Sequence, residues 1–315
     1  MIYWGVNALN HGHSLAVFKD GQFIDNYVGA GDELSSDTTV KALGLGSPDR
    51  IFWYERPWIK KARQLYAGQY RTVFNMDVLP KRHLAQFKYA PVTYTPHHAS
   101  HAAAGYYTSP FDECAVVVLD AIGEFECATI WHGKSGKLKK VWSRGYPHSL
   151  GLFYSAFTQF VGLTPIKDEH LLQKMAAQGN GTRFLSYIRS YFNAGEILDL
   201  NTNFHRGVEF WDLDQLTTLQ EQCDLAAAVQ IVFEEQVNVI MQTAKRLTGS
   251  NNLVYMGGCA MNSEANKRIV TSIFEHRWSL PNPGDPSSSI GAVLYHTKEK
   301  IKWTGPTAKH IEINI

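Results

Sequence analysis

The chain has 315 residues, 44% of them hydrophobic and 19% charged, which is ordinary for a soluble globular enzyme and long enough for two lobes. A formal net charge of +1 does not indicate a nucleic-acid partner, and no apolar run reaches the length of a membrane span. The four cysteines form no Cys-x-x-Cys pair, and the N-terminus has no signal-peptide pattern. We therefore expect a cytoplasmic protein without disulfides, a thiolate zinc site or membrane contact.

The beginning of the chain predicts a three-stranded β-meander. Residues 2–7, 14–18 and 23–28 have strand character, and the first bend between them is polar, contains glycine and carries His11. The same order recurs at residues 115–119, 127–131 and 138–141, with the polar bend Asp120–Glu124 after its first strand. Two such units predict an internally duplicated α/β fold with a cleft between two lobes. The paired bends would face each other there, and their N–H groups can hold phosphate oxygens.

Residues 37–88, between the two units, are predicted to be helical. From Arg50 to Lys88, nine lysines or arginines stand against two acidic residues, and aromatic residues are interleaved among them. Basic side chains among aromatic rings can bind phosphates and stack bases. The interpretation that we favour is a solvated basic helix face above buried aromatic side chains.

A further helix is predicted from Pro96, because proline suits the first turn and an alanine-rich run follows it. His97 and His101 lie four residues apart on this helix, so their imidazoles share one face and can bind one metal ion. Such a pair also arises by chance on a helix surface or in a core. A carboxylate from elsewhere in the chain would be needed to complete a metal site.

Three later stretches predict a long helix, a pair of glycines after a strand, and a carboxylate on a turn. Residues 214–247 predict a long helix that ends at Gly249. Gly257 and Gly258 follow a predicted strand, and glycines at such a position let the main chain approach a flat or anionic ligand. Asp285 lies on a tight turn before a helix of small residues. It either caps that helix or supplies the carboxylate that the two histidines need.

Seven short stretches occur in one order along nearly the whole chain: His11 to Leu15, Glu55 to Pro57, His97 to Ala102, Leu119 to Glu124, His148 to Tyr154, Gly257 to Asn262, and the turn with Asp285. In this order they resemble the N-terminal domain of the NodU-type O-carbamoyltransferase family, a relative of the tRNA threonylcarbamoyl-transfer enzyme. The resemblance implies an α/β fold of the duplicated actin-like, ribonuclease-H-like ATPase type. We expect lobe 1 at residues 1–112 and lobe 2 at 113–289, with the tail from about 290 to 315 packing back on lobe 1.

The resemblance also implies roles for individual residues. A divalent metal, iron(II) first and zinc or manganese otherwise, would be bound by His97, His101, Asp120 and Asp285. A nucleotide cofactor would be contacted by Gly123, Glu124, Gly257, Gly258, Asn262 and Asn266. Catalytic roles beside the donor or the acceptor would fall to His11 and Asp120.

We therefore expect a carbamoyltransferase that moves a carbamoyl group from carbamoyl phosphate, or from carbamoyl-adenylate made with ATP, to an acceptor hydroxyl. The expected acceptor is a hydroxymethylated pyrimidine, 5-hydroxymethylcytosine, in phage-type DNA, and a sugar or antibiotic-like small molecule is the alternative. Family members continue into a YrdC-like domain that makes the adenylate, so a YrdC-like partner protein is a further expectation. A non-catalytic nucleotide-binding subunit and a metallohydrolase are the remaining classes.

Overall fold

The computed structural model describes residues 1–8, 12–30, 34–76, 79–84, 87, 90–208, 216 and 218–304. Within these residues, ten strands form two five-stranded sheets. The strands are β1 Ile2–Asn7, β2 His13–Lys19, β3 Gln22–Gly29, β4 Arg50–Trp53, β5 Val92–Tyr94, β6 Glu113–Gly123, β7 Glu126–Lys134, β8 Lys137–Gly145, β9 Asn252–Met256 and β10 His276–Trp278.

Both sheets have the same arrangement, which confirms the predicted duplication. In the first sheet, of order β3-β2-β1-β4-β5, the strands β1 to β3 are antiparallel, while β4 and β5 run parallel to β1. In the second sheet, of order β8-β7-β6-β9-β10, the strands β6 to β8 are antiparallel, while β9 and β10 run parallel to β6. The antiparallel strands of each sheet are the two units that repeat in the sequence.

The described helices connect and cover the two sheets. They are α1 Ser36–Leu45, α2 Pro57–Tyr66, α3 Tyr70–Val73, α4 Pro80–His83, α5 His97–Thr108, α6 Leu150–Phe160, α7 Glu169–Ala176, α8 Thr182–Arg189, α9 Leu219–Thr248, α10 Ser263–Ala265, α11 Thr271–Ile273 and α12 Ser288–Thr297. Among these helices, none has the length and apolar character required to cross a lipid bilayer.

Two helices that pack against each other, α5 and α12, lie between the sheets. On one side, α12 covers the first sheet, and on the other side α5 covers the second sheet. The two helices meet at Gly291, where a Cβ atom would lie only 1.7 Å from the carbonyl oxygen of Ser100. This close packing holds the histidine face of α5 beside the turn that precedes α12.

The hydrophobic residues form two cores, one on each side of the second sheet. The inner core joins the first sheet, α5, α12 and the inner face of the second sheet, and it includes Trp4, Trp53 and Tyr106. The outer core joins the other face of the second sheet to α6 and α9. After α12 the chain returns to the inner side, where the ring of Trp303 lies 5.5 Å from that of Phe23. Residues 305–315, the rest of the predicted tail, lie outside the described part of the chain.

Two of the predicted elements were wrong in their type or bounds. Residues 50–53, predicted as part of a helical region, form β4, because the run Ile51-Phe52-Trp53 is buried between β1 and β5. Periodicity alone cannot distinguish so short a buried strand from a helix. The long helix α9 begins at Leu219, because Thr218 and Glu221 form a capping box, so residues 216 and 218 of the predicted helix lie before it. The predicted start at residue 214 lies outside the described part of the chain. The end of α9 at Gly249, which has a φ of +68°, is confirmed.

Candidate metal centre

The two histidines of α5 lie together in the interior. The helix begins at His97 directly after Pro96, as the sequence predicts. His97 and His101 are 1% and 0% exposed, and their Nε2 atoms are 3.1 Å apart. Two imidazole nitrogens that face each other cannot both donate a proton to one another. The pair therefore suits a cation, or a single shared proton, between the two rings.

Two carboxylates complete this cluster. In the turn before α12, Oδ1 of Asp285 lies 3.2 Å from Nε2 of both His97 and His101. On β6, Oδ2 of Asp120 lies 3.2 Å and 3.5 Å from the same two nitrogens. One ligand atom from each of the four residues lies within 4.8 Å of the others. This spacing fits metal–ligand bonds of about 2.0–2.2 Å, and a set of two nitrogens and two carboxylates suits iron(II), zinc or manganese.

The sequence left open whether Asp285 caps α12 or binds the metal, and the turn before α12 shows where its side chain points. The N-cap position of α12 is occupied by Ser287, and the carboxylate of Asp285 points at the imidazoles. The side chain of Asp285 is 17% exposed. Asp285 therefore does not occupy the N-cap of α12, and its role as a metal ligand stays a prediction.

The orientation of Asp120 is fixed by main-chain groups on two loops. Asp120 lies where the register between β6 and β7 shifts, between Leu119 and Gly123. Its Oδ1 accepts hydrogen bonds from the N–H groups of Ala121, at 2.9 Å, and Gly258, at 3.3 Å. These bonds leave Oδ2 directed at the imidazoles, before any ligand is bound.

The two imidazoles and the two carboxyl groups of the cluster shift one another's pKa values. Burial favours the neutral imidazole of His97, but the nearby carboxylates, chiefly Asp285, outweigh burial and hold the His97 pKa well above its usual range. The pKa of His101 is also raised, because its hydrogen bonds with Asp120 and Asp285 outweigh burial. Burial opposes ionisation of Asp120 and Asp285, but the imidazoles lower the pKa of both carboxyl groups.

These shifts predict how metal binding depends on pH. A metal requires a neutral imidazole, so protons held by His97 and His101 compete with it. We expect the affinity for Zn²⁺ or Co²⁺ to go on rising above pH 6.5, by up to about tenfold per pH unit for each proton that the metal displaces, rather than to level off there. Titration against a competing chelator at several pH values measures this. An affinity that does not change above pH 6.5 would contradict the raised pKa values.

The contribution of His97 to the free energy of unfolding of the metal-free protein should fall, not rise, as the pH increases. A raised His97 pKa means that the folded state holds this proton more tightly than the unfolded chain does. That contribution to stability is present below about pH 6.5 and is lost as the pH rises through the folded-state pKa. The lowered pKa values of the two carboxyl groups add stability above about pH 4 that is lost on acidification.

The bend after β6 connects the cluster to a charged pair at the start of α2. A Cβ atom on Gly123 would lie 2.3 Å from Cδ2 of His97, so glycine is needed for this close contact. The Glu124 carboxylate accepts hydrogen bonds from Nε of Arg56 at 3.0 and 3.1 Å and from the main-chain N–H of Arg56 at 2.7 Å, and its contact with a nucleotide stays a prediction. Glu124 is 4% exposed and Arg56 45% exposed. From the sequence alone, Arg56 has no individual role beyond its place in the basic stretch, although Glu55 to Pro57 is part of the family resemblance.

The second glycine loop lies against the Asp120 bend. Gly257 has a φ of +92°, and a Cβ atom there would lie 2.2 Å from the carbonyl oxygen of Leu119. Asn262 is buried and exchanges hydrogen bonds with Gln230 of α9 at 3.0 and 3.1 Å. Asn266 is also buried, and its amide donates to a main-chain carbonyl at 2.8 Å. Both amides thus have partners inside the protein, and nucleotide binding by these residues stays a prediction.

Gly12, directly before β2 of the first sheet, lies near the cluster. His11 lies outside the described residues, so its predicted role stays a prediction. Gly12 is described, and a Cβ atom on it would lie 3.7 Å from Cγ of Pro286. Because Pro286 follows Asp285 directly, Gly12, the residue after His11, lies near the candidate metal centre.

The basic and aromatic stretch is arranged differently from the interpretation that we favoured. Several basic side chains point inward: Lys60 pairs with Glu55 at 3.0 Å, Lys61 donates to main-chain carbonyls of the α3 segment, and Arg63 donates to Gln69 at 2.8 Å. The aromatic side chains of α2 and α3 are 63–81% exposed, namely Trp58, Tyr66, Tyr70 and Phe74. A solvated basic face over buried aromatic residues is therefore wrong for these two helices.

The fold matches that of a solved structure. Component A of (R)-2-hydroxyglutaryl-CoA dehydratase from Acidaminococcus fermentans superimposes with a TM-score of 0.53 at 12% sequence identity, covering 95% of this chain and 99% of that chain. At this identity the similarity shows the fold alone. It confirms the predicted duplicated actin-like ATPase fold.

Relatives in sequence are longer than this chain. An uncharacterized protein of Synechocystis sp. is 33% identical over 350 residues, which cover 92% of this chain and 56% of that protein. The nodulation protein NolNO of Sinorhizobium fredii is 24% identical over 249 residues, which cover 76% of this chain and 35% of that protein. The chain thus spans about half or less of the length of these relatives.

The sequence also matches a described family, carbamoyltransferase N-terminus, over residues 54–294. This range covers most of the chain and contains all four residues of the candidate metal centre. The chain belongs to the carbamoyltransferase N-terminus family.

Proposed function

We propose that this chain is a metal-dependent O-carbamoyltransferase, which moves a carbamoyl group from carbamoyl phosphate or carbamoyl-adenylate to an acceptor hydroxyl. The observation that carries the proposal is the set of four ligand atoms within 4.8 Å of one another, contributed by His97, His101, Asp120 and Asp285. Family membership narrows the chemistry of such a site to carbamoyl transfer.

The four side chains would hold a divalent metal, iron(II) first and zinc or manganese otherwise, which when bound supplies a Lewis acid for the carbamoyl carbonyl. The buried imidazoles form the inner side of the centre. Asp120 and Asp285, with side chains 14% and 17% exposed, form the outer side, where the donor and the acceptor would enter. The N–H groups that hold Asp120 keep this side in place without help from a substrate.

Arg56 is suited to the phosphate of the donor. Its guanidinium is oriented by hydrogen bonds to Glu124, and 45% of the side chain remains exposed. The transfer breaks the bond between the carbamoyl carbon and a phosphate oxygen, and the departing phosphate gains negative charge. A planar guanidinium at this position would stabilise that charge.

The acceptor hydroxyl loses its proton as its oxygen bonds to the carbamoyl carbon. We propose His11 as the base for this proton, with Asp120 as a metal ligand, because the lowered pKa of Asp120 makes its carboxylate a weak base. Gly12, the residue after His11, lies near Pro286, which follows Asp285 directly: a Cβ atom built on Gly12 would be 3.7 Å from Cγ of Pro286. If carbamoyl-adenylate is the donor, its adenosine would lie toward the loop of Gly257 and Gly258, and a YrdC-like partner would supply it with the use of ATP.

We propose 5-hydroxymethylcytosine in phage-type DNA as the first acceptor to test, because exposed aromatic rings on α2 and α3 can stack on bases. A sugar or antibiotic-like small molecule is the second candidate. It is favoured by the inward direction of Lys60, Lys61 and Arg63, which leaves fewer cations for a phosphate backbone. A steep loss of transfer with added salt would indicate DNA, and a flat salt dependence would indicate the small molecule.

Mass spectrometry of the acceptor tests the proposed function. Purified protein is incubated with iron(II) and carbamoyl phosphate, with and without ATP, and with either 5-hydroxymethylcytosine DNA or a panel of sugars. We expect one added carbamoyl group on one acceptor class, and no addition with the His101→Ala variant. No transfer to any acceptor, with either carbamoyl phosphate or carbamoyl-adenylate as the donor, would contradict the proposal.

A further inference from the structure

We propose that Glu55 is a positioning residue of the metal centre, which accepts the Nδ1 proton of His97 and so keeps Nε2 of that imidazole free for the metal. The inference rests on the metal centre of the proposed function. It concerns a residue to which the sequence and the family match give no role.

Glu55 is an unusual residue for its environment. It follows β4 and is 1% exposed. Its two carboxylate oxygens lie 3.0 and 3.3 Å from Nζ of Lys60, whose side chain is 13% exposed. A buried ion pair loses hydration energy that its mutual attraction offsets only in part, so stability alone is a weak reason for this pair. A second task for the carboxylate is therefore worth seeking.

The position of Glu55 behind the imidazole of His97 indicates this second task. Oε2 of Glu55 is 3.8 Å from Nδ1 of His97, whereas Nε2 of the same ring faces Asp120 and Asp285. Nδ1 is buried, and no hydrogen-bond partner for it exists among the described residues. The ring of Tyr54 packs edge-on against the imidazole, with centroids 5.3 Å apart. A shift of about 1 Å would bring the Glu55 oxygen within hydrogen-bonding distance of Nδ1.

A metal-bound imidazole commonly donates its other N–H to a carboxylate. A neutral imidazole carries one proton, and a metal on Nε2 forces that proton onto Nδ1. A carboxylate that accepts the Nδ1 proton fixes the tautomer and the ring orientation, and it makes Nε2 a stronger ligand. On His101, by contrast, Nδ1 lies 3.4 Å from the hydroxyl of Ser288. Glu55 would thus act on one of the two histidines only.

The test is the Co²⁺ affinity of the Glu55→Gln variant, measured by competition with a chromophoric chelator. This substitution keeps the size of the side chain and removes its charge. We expect an affinity about 10–100-fold lower than in the wild type, with a changed visible spectrum of the Co²⁺ form. The matched control is Glu234→Gln, which removes the charge of another buried glutamate, 8% exposed and bonded to Gln230 at 2.8 Å. Its Co²⁺ affinity should stay within about twofold of the wild-type value.

An unchanged Co²⁺ affinity in Glu55→Gln, in protein whose wild type binds the metal, would overturn the role of Glu55 and leave the metal centre standing. A wild type that binds no Co²⁺ would reject the centre itself, and the role of Glu55 with it. If Glu55→Gln does not fold, ¹⁵N NMR of the zinc-loaded wild type decides. An Nδ1 proton of His97 shifted downfield of that of His101, as in a hydrogen bond to a carboxylate, supports the proposal, and an Nδ1 proton of His97 without such a shift refutes it.

Discussion

Replacing His101 with alanine is expected to abolish stable metal binding and carbamoyl transfer. The Nε2 atom of His101 lies 3.1 Å from that of His97 and 3.2 Å from Oδ1 of Asp285, so it belongs to the centre of the cluster. Loss of a direct ligand should cost more than the roughly 10–100-fold in affinity that loss of a supporting hydrogen bond costs. Elemental analysis of the purified variant and the mass-spectrometric transfer assay measure the two effects.

His98→Ala is the matched control for this variant. His98 is a buried histidine on the same helix, and its ring centroid lies 6.0 Å from that of His97, but its Nδ1 lies 3.0 Å from the hydroxyl of Thr129 and it is not one of the four ligand residues. Its loss should lower the free energy of unfolding by about 2–4 kcal/mol, through a cavity and a lost hydrogen bond, while the metal content is retained. Retained metal in His101→Ala, or equal metal loss in both variants, would contradict the assignment of His101 as a ligand.

Gly291→Ala is expected to destabilise the protein and weaken the metal centre together. The added Cβ atom would lie 1.7 Å from the Ser100 oxygen and 2.8 Å from the Ala104 nitrogen, and main-chain atoms cannot rotate away. Because α5 and α12 must then move apart, we expect a loss of about 3 kcal/mol or more in the free energy of unfolding. The midpoint of thermal unfolding should fall by roughly 5–10 °C.

Gly44→Ala is the control for the general effect of replacing a helical glycine. Gly44 lies in α1, and nothing lies within 4 Å of the position of an added Cβ atom. Alanine should stabilise the helix there by about 0.5–1 kcal/mol and leave metal affinity unchanged. If Gly291→Ala also leaves the thermal midpoint and metal affinity unchanged, the tight packing of α5 on α12 does not hold the two parts of the centre together.

The features that the sequence predicted are those encoded over short distances. Each three-stranded unit consists of strands joined by tight turns, so both units could be recognised and the duplicated fold inferred. The start of α5 after Pro96 and the end of α9 at Gly249 are set by local chemistry in the same way. That Asp120 and Asp285 belong with the two histidines followed from the family resemblance. Nothing in the spacing along the chain places them there.

The features that the sequence missed depend on tertiary packing. The strand β4 is defined by its two parallel neighbours, and a run of four residues carries no periodicity of its own. Lys60 and Arg63 were treated as solvent-exposed, yet each has a partner that the sequence does not indicate, Glu55 and Gln69. The pairing of Arg56 with Glu124 joins residues far apart in the chain and is likewise visible only in the fold.

Anomalous X-ray scattering at the iron edge, from crystals grown with iron(II), tests whether the four side chains bind one metal ion. We expect one peak among Nε2 of His97 and His101 and the carboxylates of Asp120 and Asp285, at about 2.0–2.2 Å from each ligand atom. A bound iron located elsewhere, with these four side chains in contact only with one another, would contradict this assignment.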